Sequence, residues 1–326
     1  MEIIKYELNK NVIGNHTIFN DNICFFDIET TGLSRNNDII YLIGILYPAR
    51  KDNKWHLAQF FAKDLKDEVN ILMEASDTLS SFDTIINYNG NSFDIPFFNH
   101  RLKLYDIHCD ISLDKSLDLY KIIRKNKDIL DLKNYKLRTI EEYLGIRRED
   151  LYTGKDCIGF YKDYILTQNP SLKKKILQHN YDDLYYLPKV INILDIIEEK
   201  KTFMISSENH NISFIIDNIK IVNDYLTIRG TAKGKIINKV LYYDQNYKVS
   251  IDNTGRFEIS IEIRKGLISP QEKCIFINKN HFHIEEDRKW IHYNNIPEDL
   301  ILLKIENKYI IENLKKLSIV LVNKVL

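Results

Sequence analysis

Two carboxylates stand close together at the end of a short apolar run. Asp27 and Glu29 are two positions apart in the segment FFDIETTGL, residues 25–33. Because successive side chains of a strand point to opposite faces, both carboxylates project from the same face. Such a pair is costly to bury without a positive partner, and oxygen ligands suit Mg²⁺ or Mn²⁺ better than zinc. An isolated Asp-x-Glu pair is usually solvated, so the apolar run is what favours a metal site.

A third carboxylate follows a turn further along the chain. Asp94 lies in NYNGNSFDIPFFNHR, residues 87–101, with apolar neighbours on both sides. A lone acid in apolar surroundings needs a partner, and a metal ion is one candidate. The other interpretation is that Ser92 or Asp94 caps the helix that this segment predicts. Both interpretations remain open from this motif alone.

A histidine and a fourth carboxylate occur together in QHNYDDLYYL, residues 178–187. On a helix His179 and Asp183 lie one turn apart on the same side. Projection at the helical period places Asp183 at the edge of the apolar arc and Asp182 on the opposite, solvated face. We therefore choose Asp183 as the functional acid. The alternative is that His179 is bonded to Asp183 and has no other role.

These residues must be positioned by strands and helices, and the order of the strands and helices indicated by the sequence predicts an α/β layer structure with a mixed sheet. Apolar runs rich in branched and aromatic residues indicate strands, and spacing near 3.6 residues indicates helices. Pro188 predicts a kink or a restart of the last helix. The predicted strands are 22–28, 39–47, 55–61 and 84–88; the predicted helices are 64–82, 95–104, 113–126, 137–144, 158–167 and 171–187.

The hydrophobic period changes to two from about residue 205. Phe257, Ile259, Ile261 and Ile263 alternate with polar residues, and residues 226–230 form another alternating strand. An amphipathic helix is expected at about 308–324. The chain of 326 residues is therefore expected to contain an α/β domain, residues 1–200, and a smaller, mostly-β domain, residues 201–326.

Composition excludes several classes of protein. The formal net charge is +0, so no global charge marks a polyanion partner. The four cysteines form no Cys-x-x-Cys pair, which argues against zinc and redox motifs and favours a reducing compartment. The N-terminal residues carry charges where a signal peptide needs an apolar run, and the longest apolar run is too short to span a bilayer. We expect a cytoplasmic protein without membrane contact.

The three motifs in this order resemble those of the DEDD exonuclease superfamily, whose members have a ribonuclease-H-like fold. YNGNSFDIPFFNHR is similar to the second exonuclease motif of family B polymerase proofreading domains. The segments SLDLY (116–120), LKNYKLRTIEEYLGIRRED (132–150) and HNYDDL (179–184) are similar to those of the YprB-type proteins. The resemblance covers about residues 20–198 and does not extend to the C-terminal β region.

The resemblance implies a 3′–5′ exonuclease that hydrolyses phosphodiester bonds of single-stranded nucleic acid. Asp27, Glu29, Asp94 and Asp183 match the family's metal-binding carboxylates, which hold two Mg²⁺ (or Mn²⁺). His179 has the spacing of the Tyr-x-x-x-Asp variant and the residue type of the histidine variant. We expect it to accept a proton from the attacking water or to orient that water. Asp118 matches no family carboxylate and is expected to have a structural or supporting role.

The expected partner is single-stranded DNA or RNA, and the sequence does not distinguish them. Aromatic rings near Asp94 are candidates for stacking on bases, and Arg147 and Arg148 are candidate phosphate contacts. Three alternatives stay open: an endonuclease or RNA-trimming enzyme, a catalytically weak nucleic-acid-binding module, and a module that recruits protein partners through the C-terminal β domain. The residues expected to contact substrate are Thr30, Thr31, Asn89, Phe93 and Phe97.

Overall fold

The chain folds into two compact units. The computed structural model describes residues 1–9, 16–19, 22–49, 54–148, 151–207, 210–234, 239–284, 289–294 and 296–326. The first unit comprises Met1–Lys125 and Leu132–Ile193, and the second comprises Asn126–Asp131 and Leu194–Leu326. The short segment 126–131, which the sequence places in the first domain, packs with the second unit, where Tyr309 N donates to Asp128 O at 3.2 Å.

A mixed sheet of six strands forms the centre of the first unit. The strand order is β1-β4-β3-β2-β5-β6, in which β2 runs antiparallel to β3 and parallel to β5. Strands β2 and β3 are almost wholly buried, as their uninterrupted apolar runs predict. Together with flanking helices this confirms the expected fold class. The strands are β1 Glu2–Asn9, β2 Ile23–Thr30, β3 Ile40–Pro48, β4 Lys54–Phe61, β5 Thr84–Asn87 and β6 Ser116–Asp118.

Helices follow the strands, and one of them lies across the centre of the sheet. This helix, α6, packs against β2, β3 and β4. Its start is fixed by Asn169, whose side chain accepts from Ser171 N at 2.9 Å, and by Pro170 in the first turn. The helices before the second unit's strands are α1 Glu68–Ser80, α2 Asp94–Leu104, α3 Leu119–Lys125, α4 Leu137–Tyr143, α5 Gly154–Thr167, α6 Pro170–Val190 and α7 Ile193–Lys201.

Three local predictions were wrong or incomplete. The expected helix at 113–126 begins only at Leu119, because Ser116–Asp118 pair in parallel with β5 as strand β6. Helix α6 continues through Pro188 to Val190 and a new helix begins at Ile193, so the predicted restart comes a few residues after the proline. The edge strand β1, with its alternating exposed and half-buried residues, was not predicted.

The second unit consists mostly of antiparallel strands. One sheet has the order β10-β11-β12-β9-β8-β7, and a smaller one has the order β13-β14-β15-β16. The alternation from Phe257 to Ile263 is confirmed, since all four apolar side chains are buried. The final helix starts later than predicted, because Lys308–Tyr309 form strand β16. The strands are β7 Thr202–Ser207, β8 His210–Val222, β9 Tyr225–Lys233, β10 Val240–Tyr243, β11 Tyr247–Ile251, β12 Arg256–Glu262, β13 Arg264–Ser269, β14 Glu272–Asn278, β15 Leu300–Ile305 and β16 Lys308–Tyr309, followed by helix α8 Ile311–Asn323.

The described helices also bear on the expectation about membranes. Among the residues that the structure covers, no helix combines the length and the apolar character needed to traverse a bilayer. The longest helix, α6, carries polar and charged residues along its length.

Helix α6 approaches the sheet most closely at a glycine of β3. A Cβ atom at Gly44 would overlap the side chains of Asn180 and Leu184, both of which lie on α6. The missing side chain therefore sets the distance between helix and sheet. Because protein interiors are close-packed, neither neighbour has free space into which it can retreat.

We expect Gly44→Ala to lower the free energy of unfolding by about 1–3 kcal/mol, since the added methyl group overpacks the contact between helix and sheet. Urea denaturation measures the effect. The control is Gly159→Ala, because Gly159 lies exposed within α5 with open space around its Cα. There alanine should stabilise the chain by about 0.5–1 kcal/mol. Equal changes in both variants would contradict the close approach at Gly44.

Candidate active site

Strand β2 carries the first two carboxylates to its C-terminal end. Asp27 and Glu29 alternate with apolar residues, and the pairing with β3 is irregular between Glu29 and Thr30. The Glu29 side chain is buried, and the hydroxyl of Tyr41 donates to its Oε2 at 3.5 Å. Asp27 is partly exposed. The strand thus turns both acids toward the same place, and one of them remains open to solvent.

Asp94 joins these carboxylates from the first turn of α2. Its Oδ1 accepts a hydrogen bond from the backbone N of Ile28, on the neighbouring strand, at 3.2 Å. The position before the helix is Phe93, whose side chain cannot accept a hydrogen bond. The capping interpretation of Asp94 is therefore wrong: its carboxylate faces β2.

Helix α6 adds His179 and Asp183 from one side, as their spacing predicts. His179 Nε2 lies 3.6 Å from Glu29 Oε1 and 3.8 Å from Asp183 Oδ2. One side-chain atom from each of these three residues lies within 4.8 Å of the others, a spacing that can hold a metal ion. Asp183 is partly exposed, whereas His179 is buried.

The clustering raises the proton affinity of the acids. Burial, followed by the charges of the three neighbouring carboxylates, holds the pKa of Asp27 well above its usual range. Burial raises the pKa of Glu29 to about 8, although His179 opposes the shift. Burial likewise raises the pKa of Asp94 to about 7, against the hydrogen bond from Ile28. Such carboxylates bind either protons or a cation strongly.

This donor set fits an oxygen-preferring divalent ion. Side-chain atoms of Glu29, His179 and Asp183 lie within 4.8 Å of one another, and the charges of Glu29, Asp94 and Asp183 all act on Asp27. Hard cations such as Mg²⁺ and Mn²⁺ prefer these oxygen ligands. The residues that would hold such ions are Asp27, Glu29, Asp94 and Asp183.

A guanidinium group that the sequence assigned to phosphate contact lies inside this site. The Arg148 side chain is only 5% exposed, and its Nη1 pairs with Asp183 Oδ1. Its Nε donates to Glu141 Oε2 at 2.6 Å, so the Arg148 guanidinium group is bound by both Glu141 and Asp183. Arg147 is exposed. Glu141 was missed as a site residue and Arg148 was given a different partner, because neither shows its partner in the local sequence.

The prediction for Asp182 was wrong. Its side chain is 4% exposed, not solvated, and Oδ1 accepts from Gln178 Nε2 at 2.7 Å. Helix α6 is covered on more than one side, so the helical projection, which assumes one apolar face and one solvated face, does not apply. Asp183, not Asp182, nonetheless lies with Glu29 and His179.

Asp118 has the structural role that the sequence suggested. Its carboxylate accepts from the backbone N of Asn89 at 2.9 Å and of Asn91 at 3.2 Å. Asn89 has a φ of 67°, in the left-handed region that asparagine tolerates better than most residues. Asp118 therefore fixes the turn that leads into α2 and Asp94.

The residues expected to contact substrate differ in how far their side chains are exposed to solvent. Phe97 is fully buried and packs in the core, so its ring has no face available to a base. Thr30 is buried, and its hydroxyl donates to Gly32 O at 2.6 Å. Thr31 is half-buried and bonded to Asp38 Oδ1 at 3.1 Å. Phe93 and Asn89 are half-buried and remain candidates.

Comparison with known proteins places the first unit in a family. A family model described as RNase_H superfamily (RNase_H_2) matches residues 24–195, more than half of the chain. The chain belongs to the RNase_H superfamily. The matched range contains every carboxylate of the site, and the resemblance inferred from the motifs is confirmed at this level.

Individual relatives cover part of this chain and part of their own length. YprB of Bacillus subtilis (strain 168) is 32% identical over 173 residues, which is 51% of this chain and 40% of YprB. A DNA polymerase of Choristoneura biennis entomopoxvirus is 30% identical over 228 residues, 67% of this chain and 21% of the polymerase. The chain thus spans less than half the length of these two relatives.

Two solved structures show the same partial coverage. The family B DNA polymerase of Pyrobaculum calidifontis aligns with a TM-score of 0.42 at 18% identity, over 55% of this chain and 25% of that chain. E. coli Exonuclease I in complex with a dT13 oligonucleotide aligns with a TM-score of 0.29 at 12% identity, over 63% and 54% of the two chains.

The raised pKa values predict how stability depends on pH. Glu29 and Asp94 hold protons more tightly in the folded chain, with pKa values of about 8 and about 7, than in the unfolded chain. Unfolding therefore releases protons, and the free energy of unfolding in EDTA should fall by a few kcal/mol as the pH rises from about 5 to about 8. Urea denaturation across this range measures the slope.

Two variants test the origin of that slope. Glu29→Gln removes one of the responsible groups and should make the slope shallower, whereas Glu74→Gln, an exposed position on α1, should leave it unchanged. A stability that is constant or rises with pH between about 5 and 8 in the metal-free chain would contradict the raised pKa values.

Proposed function

We propose that this protein is a metal-dependent 3′–5′ exonuclease acting on single-stranded nucleic acid, with its activity in the first unit. The observation that carries the proposal is that side-chain atoms of Glu29, His179 and Asp183 lie within 4.8 Å of one another and that Asp27 interacts with the charges of Glu29, Asp94 and Asp183. Membership of the RNase_H superfamily supports it, as does the sequence similarity to DNA polymerases of Choristoneura biennis entomopoxvirus and Methanocaldococcus jannaschii.

Formal charges support two divalent ions as the cofactor. Arg148 pairs with both Glu141 and Asp183, so its single positive charge offsets one of the five negative charges that Glu141 and the four site acids carry when ionised. Four negative charges then remain, which two divalent ions would neutralise. When bound, Mg²⁺ or Mn²⁺ supplies Lewis acidity at the scissile phosphate.

The chain's own residues have separable roles in this proposal. Asp27 stands at the centre of the cluster, since the charges of the other three carboxylates all affect its pKa. In this proposal His179, whose Nε2 lies 3.6 Å from Glu29 Oε1 and 3.8 Å from Asp183 Oδ2, accepts the proton of the attacking water. The partly exposed side of Asp27 and Asp183 is where a phosphate can reach the site.

The activity is tested with end-labelled single-stranded DNA and RNA in Mg²⁺, Mn²⁺ or EDTA. Wild type should shorten the strand from its 3′ end in metal and not in EDTA. Asp27→Asn should lower the rate by about 100-fold or more, because it weakens both metal binding and charge stabilisation. The ladder of products also reports whether cleavage starts at an end or internally, and on which sugar.

Asp182→Asn and Asp183→Asn form a matched pair for the same assay. The two acids are adjacent on α6, but only Asp183 lies with Glu29 and His179. Asp183→Asn should reduce the rate as strongly as Asp27→Asn, and Asp182→Asn should keep it within a few-fold of wild type. Wild-type chain that digests neither strand in either metal would refute the proposed activity.

His179→Ala tests the proton acceptor. We expect kcat to fall by about 100-fold or more while the affinity for Mn²⁺ changes only a few-fold, since a general base contributes to the rate rather than to metal binding. His108→Gln, an exposed histidine, is the control. Activity of His179→Ala within a few-fold of wild type would show that another group accepts the proton.

A further inference from the structure

Two buried amide side chains connect the core of the first unit to Asp27. Asn180 on α6 and Gln59 on β4 are both fully buried. Asn180 Nδ2 donates to Asp27 Oδ2 at 2.7 Å, and Gln59 Nε2 donates to Asn180 Oδ1 at 2.8 Å. We propose that Asn180 and Gln59 are positioning residues that orient the Asp27 carboxylate for metal binding. This inference rests on the metal site of the proposed function.

A backbone carbonyl group determines which atoms of Gln59 and Asn180 donate and which accept hydrogen bonds. The carbonyl O of Leu177 can only accept, and Gln59 Nε2 donates to it at 2.8 Å. The same nitrogen donates to Asn180 Oδ1, so the other end of the Asn180 amide, Nδ2, faces Asp27. Reversing the Asn180 amide would place two donors together and two acceptors together.

The fixed amide affects one oxygen of Asp27 only. Asn180 donates to Oδ2 and not to Oδ1. The bond therefore fixes the orientation of the Asp27 carboxylate plane and with it the direction of Oδ1.

Gln59 is an unfavourable residue for packing alone. Its Oε1 is buried and, among the residues that the structure describes, has no hydrogen-bond partner. An unpaired buried acceptor destabilises a fold, and leucine would fill a similar volume without that cost. What Gln59 contributes is its Nε2 donor, which holds the Asn180 amide in one orientation.

Gly44 allows the pair to reach this position. A Cβ atom at Gly44 would overlap the Asn180 amide, so a larger residue on β3 would displace the donor from Asp27. Gly44 on β3 and Gln59 on β4 therefore both favour the position in which Asn180 Nδ2 donates to Asp27. A merely structural link between α6 and β4 would not need that donor to end on a metal-binding carboxylate.

The test measures Mn²⁺ binding to the full chain by calorimetry, without nucleic acid. The double variant Asn180→Leu/Gln59→Leu replaces both amides by apolar groups of similar size, so neither amide is left without the other, and urea denaturation checks that the variant is folded. Its affinity for Mn²⁺ should fall by about tenfold or more, the size of effect seen when a residue that orients a metal ligand is lost. Gln59→Leu alone should show a smaller loss.

The control is Asn99→Ala in the same unit. The Asn99 side chain makes two hydrogen bonds to the backbone of Ile111, at 2.9 Å each, and neither bond involves a carboxylate of the site. It should lower stability and leave the affinity for Mn²⁺ unchanged. A double variant that is folded and binds Mn²⁺ within twofold of wild type would overturn the positioning role.

Measuring both Mn²⁺ binding and strand digestion distinguishes a failure of this inference from a failure of the proposed function. A wild-type chain that binds Mn²⁺, with weaker binding by the folded double variant, supports the inference even if no strand is digested. A wild-type chain that digests strands, with an equally active and metal-binding double variant, overturns the inference and leaves the function intact. A wild-type chain that binds no Mn²⁺ overturns both.

Discussion

The repulsion among carboxylates at the end of β2 is the constraint on which the rest of the first unit depends. Glu29 and Asp94 are buried, and their pKa values are raised to about 8 and about 7 because water no longer stabilises their charges. No arrangement of apolar neighbours can relieve that cost, since ionised groups need opposite charge or solvent. The scaffold must therefore hold these groups together until protons or cations neutralise them.

Helix α6 provides most of the groups that meet this constraint. Within about one helical turn it presents His179 to Glu29, Asn180 to Asp27, and Asp183 to Arg148. Each of these contacts requires that the helix lie at a fixed distance and rotation above the sheet. The close contact at Gly44 sets the distance, and Gln59 bonds to Leu177 O and Asn180 set the rotation.

The sequence predicts the features that depend on neighbouring residues better than the contacts between residues far apart along the chain. The apolar runs of β2 and β3 and the acids beside them could be recognised, because burial and charge are local properties of those segments. Strand β6 was mistaken for helix, since three residues carry no period of their own. The Asn180 bond to Asp27 joins positions 153 residues apart, and no local pattern records such a contact.

The same distinction explains why the position of Asp183 beside His179 could be predicted while the environment of Asp182 was predicted wrongly. Asp183 was chosen because it lies beside His179 on the helix, which is a property of the helix alone. The surroundings of Asp182 depend on which other segments cover α6, which is a property of the assembled fold. A buried acid paired with Gln178 and a partly exposed acid paired with Arg148 can therefore be adjacent in sequence. Only the second has a side-chain oxygen close to Glu29 and His179, so geometry and not burial distinguishes the two acids.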